Sequence, residues 1–316
     1  MNMMDTIKGS NLEHFFPAGW DLQKIEDCCA TPPEHALDRM PHWNDKFFTE
    51  ECEDVASFNM QMGYEIAKQI RRTREEGKKM ALILSAGPMG MYKWAAYFIN
   101  DWKVPCDHVT GLNMDEWSDS EGNTLPGDDL GSFQYAMEKN FYNRLGEYTI
   151  PVSQRNFATK ENLPTYPEKI QKIKDEGGEL ITIYGIGRCF HIAFWEPQFA
   201  GEFKSVDDWK KEPYRVAAKL HPMTIEQNSL ISFKSRVTLI PARANTIGPG
   251  IFLNSDYCIG GVDGVVGRGM NWQGMTFFVT LKYGPNPWVP SSWMPTMPGK
   301  FFVVKELEGP LLPECN

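Results

Sequence analysis

Short apolar runs alternate with helix-forming stretches along most of this chain. Residues 80–84 are apolar and lead into a turn and a helical stretch, and residues 106–112 lead into a polar loop and a helix around residues 132–145. Residues 179–187 again enter a glycine-containing turn. Strands that alternate with helices at such intervals predict βαβ units. We therefore expect an α/β fold, a doubly wound and mostly parallel sheet with helices on both faces.

Three further segments complete the predicted organisation. Residues 47–77 place Val55, Phe58 and Met62 at helical spacing and end at Gly77, which predicts one amphipathic helix. Residues 236–240 and 300–304 look like additional strands. The stretch between residues 283 and 299 is rich in Pro and Trp, so we expect an ordered loop there that covers a site.

Length and composition allow a large core without covalent staples. The chain has 316 residues, of which 42% are hydrophobic, so folding needs no disulfide or structural metal. The first 45 residues show no sustained period, and Pro32 and Pro33 interrupt any preceding helix. We expect an N-terminal extension over residues 1–45 and a single α/β domain over residues 46–316.

Charge and cysteine usage exclude several classes of protein. The 32 basic and 41 acidic residues give a net charge of −9, which disfavours nucleic-acid binding. The seven cysteines include no CxxC pair, so neither a disulfide framework nor a zinc site is expected. The sequence shows no secretory signal or membrane span, so we expect no membrane association and a cytoplasmic protein. A homo-oligomer would have to form through local apolar or mixed patches.

Two adjacent acids follow one of the predicted strands. Asp115 and Glu116 stand in the segment NMDEW, directly after residues 106–112. Neighbouring side chains there point in different directions, so one can enter a cleft while the other is anchored. A carboxylate in such a cleft suits a general base. The alternative is that both acids cap a helix or stay hydrated, as loop acids commonly do.

A second candidate segment is GIGRCFHIAFWEP, which follows residues 179–184. It holds His191 and Glu196 five residues apart, and a histidine oriented by a carboxylate moves protons near neutral pH. A lone histidine among apolar neighbours can equally be structural. Cys189 is read either as a nucleophile or as a small buried hydrophobe. Ser85, Ala86 and Gly87 form a turn that could present backbone N–H groups to an anion.

Together these segments resemble the glucosamine-6-phosphate deaminase/isomerase family. The resemblance rests on NMDEW, GIGRCFHIAFWEP, the pair Tyr92 and Lys93, and the stretch SFQYAMEKNFY, and it covers residues 80–305. It implies an enzyme that needs no metal or organic cofactor. Such an enzyme opens an amino-sugar phosphate ring, moves a proton between C1 and C2, and releases ammonia.

The resemblance also implies roles for individual residues. Asp115 would be the base that moves the C1/C2 proton, with Glu116 supporting its loop. His191 would be the acid/base that opens the ring, and Glu196 would orient it. An enediol or enolamine route needs one group at the carbon and another at the ring oxygen.

The chain departs from the family pattern at both ends of the expected substrate. The family's GNDGH is Gly-Arg-Cys-Phe-His here, so Cys189 replaces an aspartate of the ring-opening relay. The family's GGTP turn is Ser-Ala-Gly-Pro, and its phosphate-binding arginine falls at Leu230. Leucine in place of that arginine removes a charge-assisted hydrogen bond to phosphate, and such a bond is worth about 1.5 to 3 kcal/mol. Ser85, Arg188 and Arg268 are candidates for rebuilding an anion site.

Three functions follow from these residues. The first is a sugar isomerase or deaminase that acts on an amino sugar or hexose phosphate by C1/C2 proton transfer. The second is a hydrolase of sugar lactones, of the 6-phosphogluconolactonase type. The third is a sugar-binding or regulatory protein whose relay is impaired by Cys189.

Overall fold

A computed structural model describes residues 2–87, 89–266 and 270–313. The helices are α1 (Leu22–Cys29), α2 (Val55–Glu75), α3 (Gly90–Asp101), α4 (Phe133–Asn140), α5 (Tyr166–Asp175), α6 (Val206–Lys211), α7 (Pro222–Ile231), α8 (Pro249–Phe252) and α9 (Gly274–Lys282). The strands are β1 (Phe47–Cys52), β2 (Met80–Leu84), β3 (Val109–Asn113), β4 (Asp115–Trp117), β5 (Arg155–Asn156), β6 (Glu179–Gly185), β7 (Tyr214–Lys219), β8 (Arg243–Ile247), β9 (Tyr257–Val262), β10 (Val265–Val266), β11 (Met270–Asn271) and β12 (Gly299–Val304).

Seven strands form one parallel sheet in the order β1-β12-β9-β6-β2-β3-β5. Each pairing between neighbours is parallel, as where Ala81 of β2 lies opposite Thr110 of β3 and Leu180 of β6. β2 is buried along its whole length, as expected of a central strand covered on both faces. The predicted α/β fold with a mostly parallel sheet is confirmed.

The direction of the chain reverses at the centre of this sheet. From β2 the chain crosses through α3 to β3 on one side, whereas from β5 it returns through α5 to β6 on the other side of β2. Because such crossovers are right-handed, α3 and α5 cover opposite faces of the sheet. The loops after β2 and β6 therefore diverge at their carboxyl ends, and such a crevice is where doubly wound sheets bind ligands.

A second, antiparallel sheet stands at this edge. β4 leaves the large sheet directly after β3 and pairs with β8, which pairs with β7. Met114 forms the junction, because its N–H donates to the carbonyl of Leu84 and its carbonyl accepts from Ile247. This junction turns Asp115 away from the main sheet and toward the crevice.

Helix α2 begins later than the sequence predicts. Residues 47–52 form β1, an edge strand whose one partner among the described strands is β12. The helix starts after Asp54, whose carboxylate accepts from the N–H of Ser57 at 2.7 Å. The predicted apolar face, including Phe58 and Met62, is buried. The helix ends before Gly77, which has a left-handed φ of 67°. The prediction of one helix over residues 47–77 was therefore wrong for its first turns.

Two other segments differ from expectation. Residues 237–239 form a short 3-10 helix, so the strand predicted over residues 236–240 is wrong. The Pro- and Trp-rich stretch contains a longer 3-10 helix, Pro290–Thr296, in which Ser291 and Met294 are buried. Proline removes backbone donors, which favours such short turns over strands.

The N-terminal segment packs onto the α/β core. Trp20 donates its indole N–H to the carbonyl of Trp288 at 2.8 Å, and Trp43 donates to the carbonyl of Leu281 at 3.0 Å. Both indoles join the main hydrophobic core. The six cysteines in the described part of the chain are free thiols. In that same part, no helix combines the length and the apolar character that a membrane crossing requires.

Candidate active site

A cavity of about 350 Å³ lies at the crevice beyond β2 and β6. All three loops that the sequence analysis selected contribute to its wall. Ser85, Ala86 and Gly87 follow β2, Asp115 opens β4, and His191 belongs to the loop after β6. The carboxyl ends of neighbouring parallel strands meet at one edge, which explains why segments so distant in sequence converge here.

Asp115 reaches the cavity with an unused oxygen. The residue is 5% exposed, lines the cavity, and its Oδ1 has no hydrogen-bond partner among the described residues. Burial and the neighbouring Glu116 carboxylate raise the pKa of Asp115 well above its ordinary value. A carboxylate that is poorly solvated and unpartnered is a stronger base once it is ionised.

Glu116 points the other way and anchors α4. Its carboxylate accepts hydrogen bonds from the N–H groups of Phe133 and Gln134 and from the hydroxyl of Ser132, at 2.9 to 3.0 Å. These donors belong to the N-terminus of α4, where a negative charge is favoured. Burial raises the pKa of Glu116 although these donors oppose the shift. Glu116 thus fixes the loop that carries Asp115.

The imidazole of His191 lies against the backbone of Gly187. A Cβ at Gly187 would fall 1.9 Å from Nε2 of His191, so only glycine leaves room for the ring. The His191 side chain lines the cavity and is 6% exposed. Gly187 itself is held by its N–H, which donates to the carbonyl of His191. Nε2 therefore lies against Gly187, which also lines the cavity.

The other ring nitrogen of His191 faces a buried cluster. Nδ1 lies 3.0 Å from Oγ1 of Thr224 and 3.4 Å from Oε2 of Glu196. The thiol of Cys189 lies 3.0 Å from Oγ1 of Thr224 and donates to Oε2 of Glu196 at 2.9 Å. With Nδ1 protonated, these contacts form a chain from His191 through Thr224 and Cys189 to Glu196. This tautomer leaves Nε2 free to accept a proton.

Protonation states in the cluster follow from burial. Burial, reinforced by Glu196, raises the pKa of Cys189 well above its usual range, so the thiol stays protonated and acts as a donor. Burial also pushes the pKa of Glu196 upward, but His191 and the donors Cys189 and Thr224 outweigh it and hold that pKa below its ordinary value. Glu196 therefore remains a carboxylate.

Cys189, His191 and Glu196 also form a set of metal-ligand types. Their ligand atoms lie within 4.8 Å of one another, and zinc accepts all three residue types. A metal would have to displace the thiol proton and the donors that already occupy Oε2 of Glu196. Hydrogen bonds by themselves explain the distances of 2.9 to 3.4 Å among Sγ of Cys189, Nδ1 of His191 and Oε2 of Glu196.

Two residues of the cluster were missed by the sequence analysis. Thr224 lies in the first turn of α7, and His221 is the residue before that helix. The N–H of His221 donates to Oε1 of Glu196 at 3.3 Å. The ring of His221 accepts from the N–H of Met223 at Nδ1 and donates from Nε2 to the carbonyl of Phe15. Nothing in the local sequence marks either residue, because α7 reaches the cluster only through tertiary packing.

The predicted anion-binding residues are dispersed. Oγ of Ser85 is buried and unpartnered among the described residues, at the cavity wall. The guanidinium of Arg188 instead pairs with Glu226, away from the lining. Leu230 is 56% exposed on α7 and is not part of the lining. Cys189 is fully buried behind His191. Pro88 and Arg268 lie outside the described residues.

Asp263 is a third acidic group at this edge, and the sequence analysis did not select it. It follows β9, the neighbour of β6 in the sheet, and lines the cavity. Burial raises the pKa of its carboxyl to about 6. The signal that could have found it is the apolar run YCIGGV ending in an acid, the same pattern that selected Asp115.

Known proteins resemble this chain in sequence and in structure. No protein-family model matches it. It is 30% identical over 201 residues to the glucosamine-6-phosphate deaminase of Caenorhabditis elegans, a match that covers 63% of this chain and 68% of that protein. It is also 30% identical over 191 residues to the glucosamine-6-phosphate deaminase of Clostridium perfringens strain 13, with 59% and 69% covered.

Solved structures share the fold at lower identity. A monomeric glucosamine-6-phosphate deaminase superposes with a TM-score of 0.65 at 19% identity, covering 82% of this chain and 98% of that one. A 6-phosphogluconolactonase from Trypanosoma cruzi gives a TM-score of 0.58 at 15% identity, with 87% and 100% covered. The shared fold extends to both kinds of enzyme, whereas the two relatives compared above by sequence are deaminases. On those sequence matches, the chain belongs to the glucosamine-6-phosphate deaminase family of enzymes.

Proposed function

We propose that this protein is a cofactor-independent sugar isomerase or deaminase that transfers a proton between C1 and C2 of an open-chain sugar. The observation that carries the proposal is the unpartnered Oδ1 of Asp115, buried in the same cavity wall as His191. Two proton-transfer groups in one cavity suit a reaction that moves protons at two positions of a sugar. An amino sugar or a hexose, free or phosphorylated, is the expected substrate.

His191 would open the ring. Nε2 takes the proton of the C1 hydroxyl, the bond between C1 and the ring oxygen breaks, and the proton is returned to the ring oxygen. The imidazole carries positive charge between these two transfers. The Glu196 carboxylate, 3.4 Å from Nδ1, stabilises that charge, and the Thr224 hydroxyl holds the ring in place.

Asp115 would then act on carbon. Its carboxylate removes the proton from C2 of the open aldose while O1 takes up a proton, giving an enediol, or an enolamine when C2 carries nitrogen. The same carboxyl returns the proton to C1, the oxygen or nitrogen on C2 releases a proton, and a ketose or a ketimine remains. Water adds to the ketimine and ammonia departs, so an amino sugar and water yield a ketose and ammonia. The raised pKa of Asp115 favours both halves of this transfer.

The lactone hydrolase is the alternative, because such enzymes share the fold. Hydrolysis of a lactone needs a base for water, which His191 could supply, but no proton transfer at carbon. The buried and unpartnered carboxylate of Asp115 has no task in that reaction. The isomerase or deaminase reaction uses both groups and is preferred for that reason.

Deuterium incorporation tests the proposal. The protein is incubated in deuterated water with hexoses, 2-amino sugars and their 6-phosphates, and NMR follows exchange at C1 and C2. Asp115→Asn is expected to lower exchange by at least about 100-fold, whereas Asp128→Asn, at an exposed position, is expected to leave it unchanged. Hydrolysis of a gluconolactone without exchange on any sugar would establish the alternative.

A further inference from the structure

We propose that the protein forms a twofold-symmetric dimer in solution, in which α3 of one copy packs antiparallel against α3 of a second copy. The contact surface is the aromatic face of α2 and α3, which we define as Tyr64, Trp94, Tyr97, Phe98 and Trp102. Two observations carry the inference: the exposure of these rings and the arrangement of charges along α3. Neither observation depends on the reaction proposed above.

The five rings form a connected surface where α2 and α3 lie side by side. Phe98 is central, because its ring centroid lies 5.3 Å from that of Tyr64, 5.4 Å from that of Tyr97 and 5.4 Å from that of Trp102. Trp94 extends the surface, with its centroid 5.7 Å from that of Tyr97. Despite these contacts, Tyr97 is 56% exposed and Trp94 is 38% exposed. Contiguous exposed aromatic groups of this kind are typical of protein interfaces.

The packing of α3 leaves its outer side available to a partner. The inner side, which includes Met91, Tyr92 and Ala95, is buried. A Cβ on Gly63 of α2 would fall 2.5 Å from the carbonyl oxygen of Met91, so glycine lets the two helices lie close together. A surface helix of a monomer presents mainly polar groups to solvent. The outer side of α3 departs from that pattern at Trp94 and at the middle of the helix.

Charged residues on α3 are placed symmetrically about Tyr97. Lys93 precedes Tyr97 by four residues and Asp101 follows it by four, so all three lie along one side of the helix. Each charged residue is therefore displaced by about 6 Å from Tyr97 along the axis. Both are exposed, and neither forms an ion pair with a side chain of the described part of its own copy.

The two charges lie at the ends of α3 that the helix itself disfavours. Lys93 is the fourth residue of α3 and Asp101 is its last. The helix macrodipole favours acidic groups near the N-terminus and basic groups near the C-terminus, which is the reverse of this arrangement. The macrodipole of α3 therefore does not explain where these charges are found, whereas a partner with the opposite charges in the opposite order does.

A twofold axis beside Tyr97 supplies that partner. When two α3 helices pack antiparallel with Tyr97 of each copy at the axis, Lys93 of each copy faces Asp101 of the other. A parallel contact would instead place Lys93 against Lys93 and Asp101 against Asp101. The charge pattern thus selects one direction and one register. Because the pattern is complementary to itself, it identifies a second copy of this chain as the partner.

The extent of the surface indicates a reversible dimer. α3 has 12 residues and is therefore about 18 Å long. A stable protein interface buries roughly 800 Å² on each partner, which the exposed sides of α3 and α2 approach only together. We expect the dimer to separate into monomers as the protein is diluted.

Sedimentation velocity of the full chain tests the inference. Between about 1 µM and about 100 µM protein, the weight-average mass should rise from that of a monomer toward that of a dimer. The same measurement at 1 M salt should show weaker association, because salt screens the two pairs of Lys93 with Asp101. A chain that stays monomeric at every concentration would overturn the inference.

Exchange of the charges tests the register. Lys93→Asp and Asp101→Lys each bring like charges together at two places in the dimer, so each should weaken association by about tenfold. The double variant restores opposite charges and should regain most of the association. Lys172→Asp, at an exposed position of α5, is the matched control and should have no effect. If the double variant stays as weak as the single variants, the antiparallel register is wrong.

Damage to the fold does not account for the expected losses. Lys93→Asp and Asp101→Lys each improve the match between charge and macrodipole, so thermal unfolding of the monomer should show no loss of stability. Tyr97→Arg places two positive charges at the twofold axis and should abolish association. Val152→Arg, at a position that is 76% exposed outside the aromatic face, should leave association unchanged. A dimer that persists in Tyr97→Arg would mean that copies meet through another surface, which would overturn the inference.

Discussion

The thiol of Cys189 donates a hydrogen bond to Oε2 of Glu196 at 2.9 Å, and the same oxygen lies 3.4 Å from Nδ1 of His191. Cys189 therefore lies beside His191 as an uncharged hydrogen-bond donor. An aspartate there would add a second buried negative charge. Among these described residues, Glu196 supplies the negative charge that faces Nδ1 of His191.

Cys189→Ala should shift the pH dependence of turnover. The thiol is one of the donors that hold the pKa of Glu196 down, so its loss raises that pKa and moves the acidic limb of the kcat profile to higher pH. A donor to a charged group is worth about 1.5 to 3 kcal/mol. Cys189→Ser retains a donor and is the control. An identical pH profile for Cys189→Ala would contradict this account.

Thr224→Val should lower kcat with little change in KM. The substitution keeps the shape of the side chain but removes the hydroxyl that contacts both His191 and Cys189. We expect a loss of about 1 kcal/mol in the free energy of unfolding. Steady-state kinetics and chemical denaturation measure the two effects. Thr224→Ser should restore kcat, and a purely structural role would show itself as lost stability with kcat intact.

Stability should fall in mild acid partly because of His221. Burial lowers the pKa of His221 below its ordinary value near 6.5, so the unfolded state binds the proton more readily. The stability that neutral His221 contributes to the folded state is fully present above about pH 6.5. It is lost as the pH falls through the lower pKa of His221 in the folded state. His221→Gln should lose less stability than the wild-type protein between pH 7 and 5. Denaturation midpoints across this range provide the measurement.

Asp263→Asn should become more stabilising as the pH rises. Burial raises the pKa of Asp263 to about 6, so the folded state holds this proton above the pH at which the unfolded state releases it. The wild-type protein consequently loses stability as the pH rises through about 6, by up to about 3 kcal/mol. The asparagine variant lacks this loss. A variant whose advantage is the same at pH 4 and pH 8 would disprove the assignment.

Removal of residues 1–45 should weaken the remaining domain. We propose residues 46–316 as the α/β unit, but the extension contributes buried Trp20, Ile25 and Trp43 to its core. Burial of one large apolar side chain contributes about 1.5 to 3 kcal/mol. Thermal unfolding of the shortened chain should therefore begin at a clearly lower temperature. An unchanged transition would mean that the extension is dispensable.

The local pattern of the sequence determined the class of fold and the two principal segments of the site. The strands that end at residues 84, 113 and 185 are largely apolar and buried, so their local composition was enough to predict them as strands. Asp115 and His191 follow such strands, so their arrival at one edge is a consequence of parallel pairing. The resemblance to a family added a chemical hypothesis to positions already selected by that pattern.

Only the tertiary structure decided what surrounds these residues. Thr224 and His221 reach Glu196 from α7, and Asp263 reaches the cavity because β9 lies beside β6. Strand order and helix packing depend on contacts between distant residues, which leave no local period in the chain. The same reason explains why residues 47–52 were mistaken for helix: their partner, β12, is about 250 residues away, and an edge strand exposed on one side lacks a continuous apolar run.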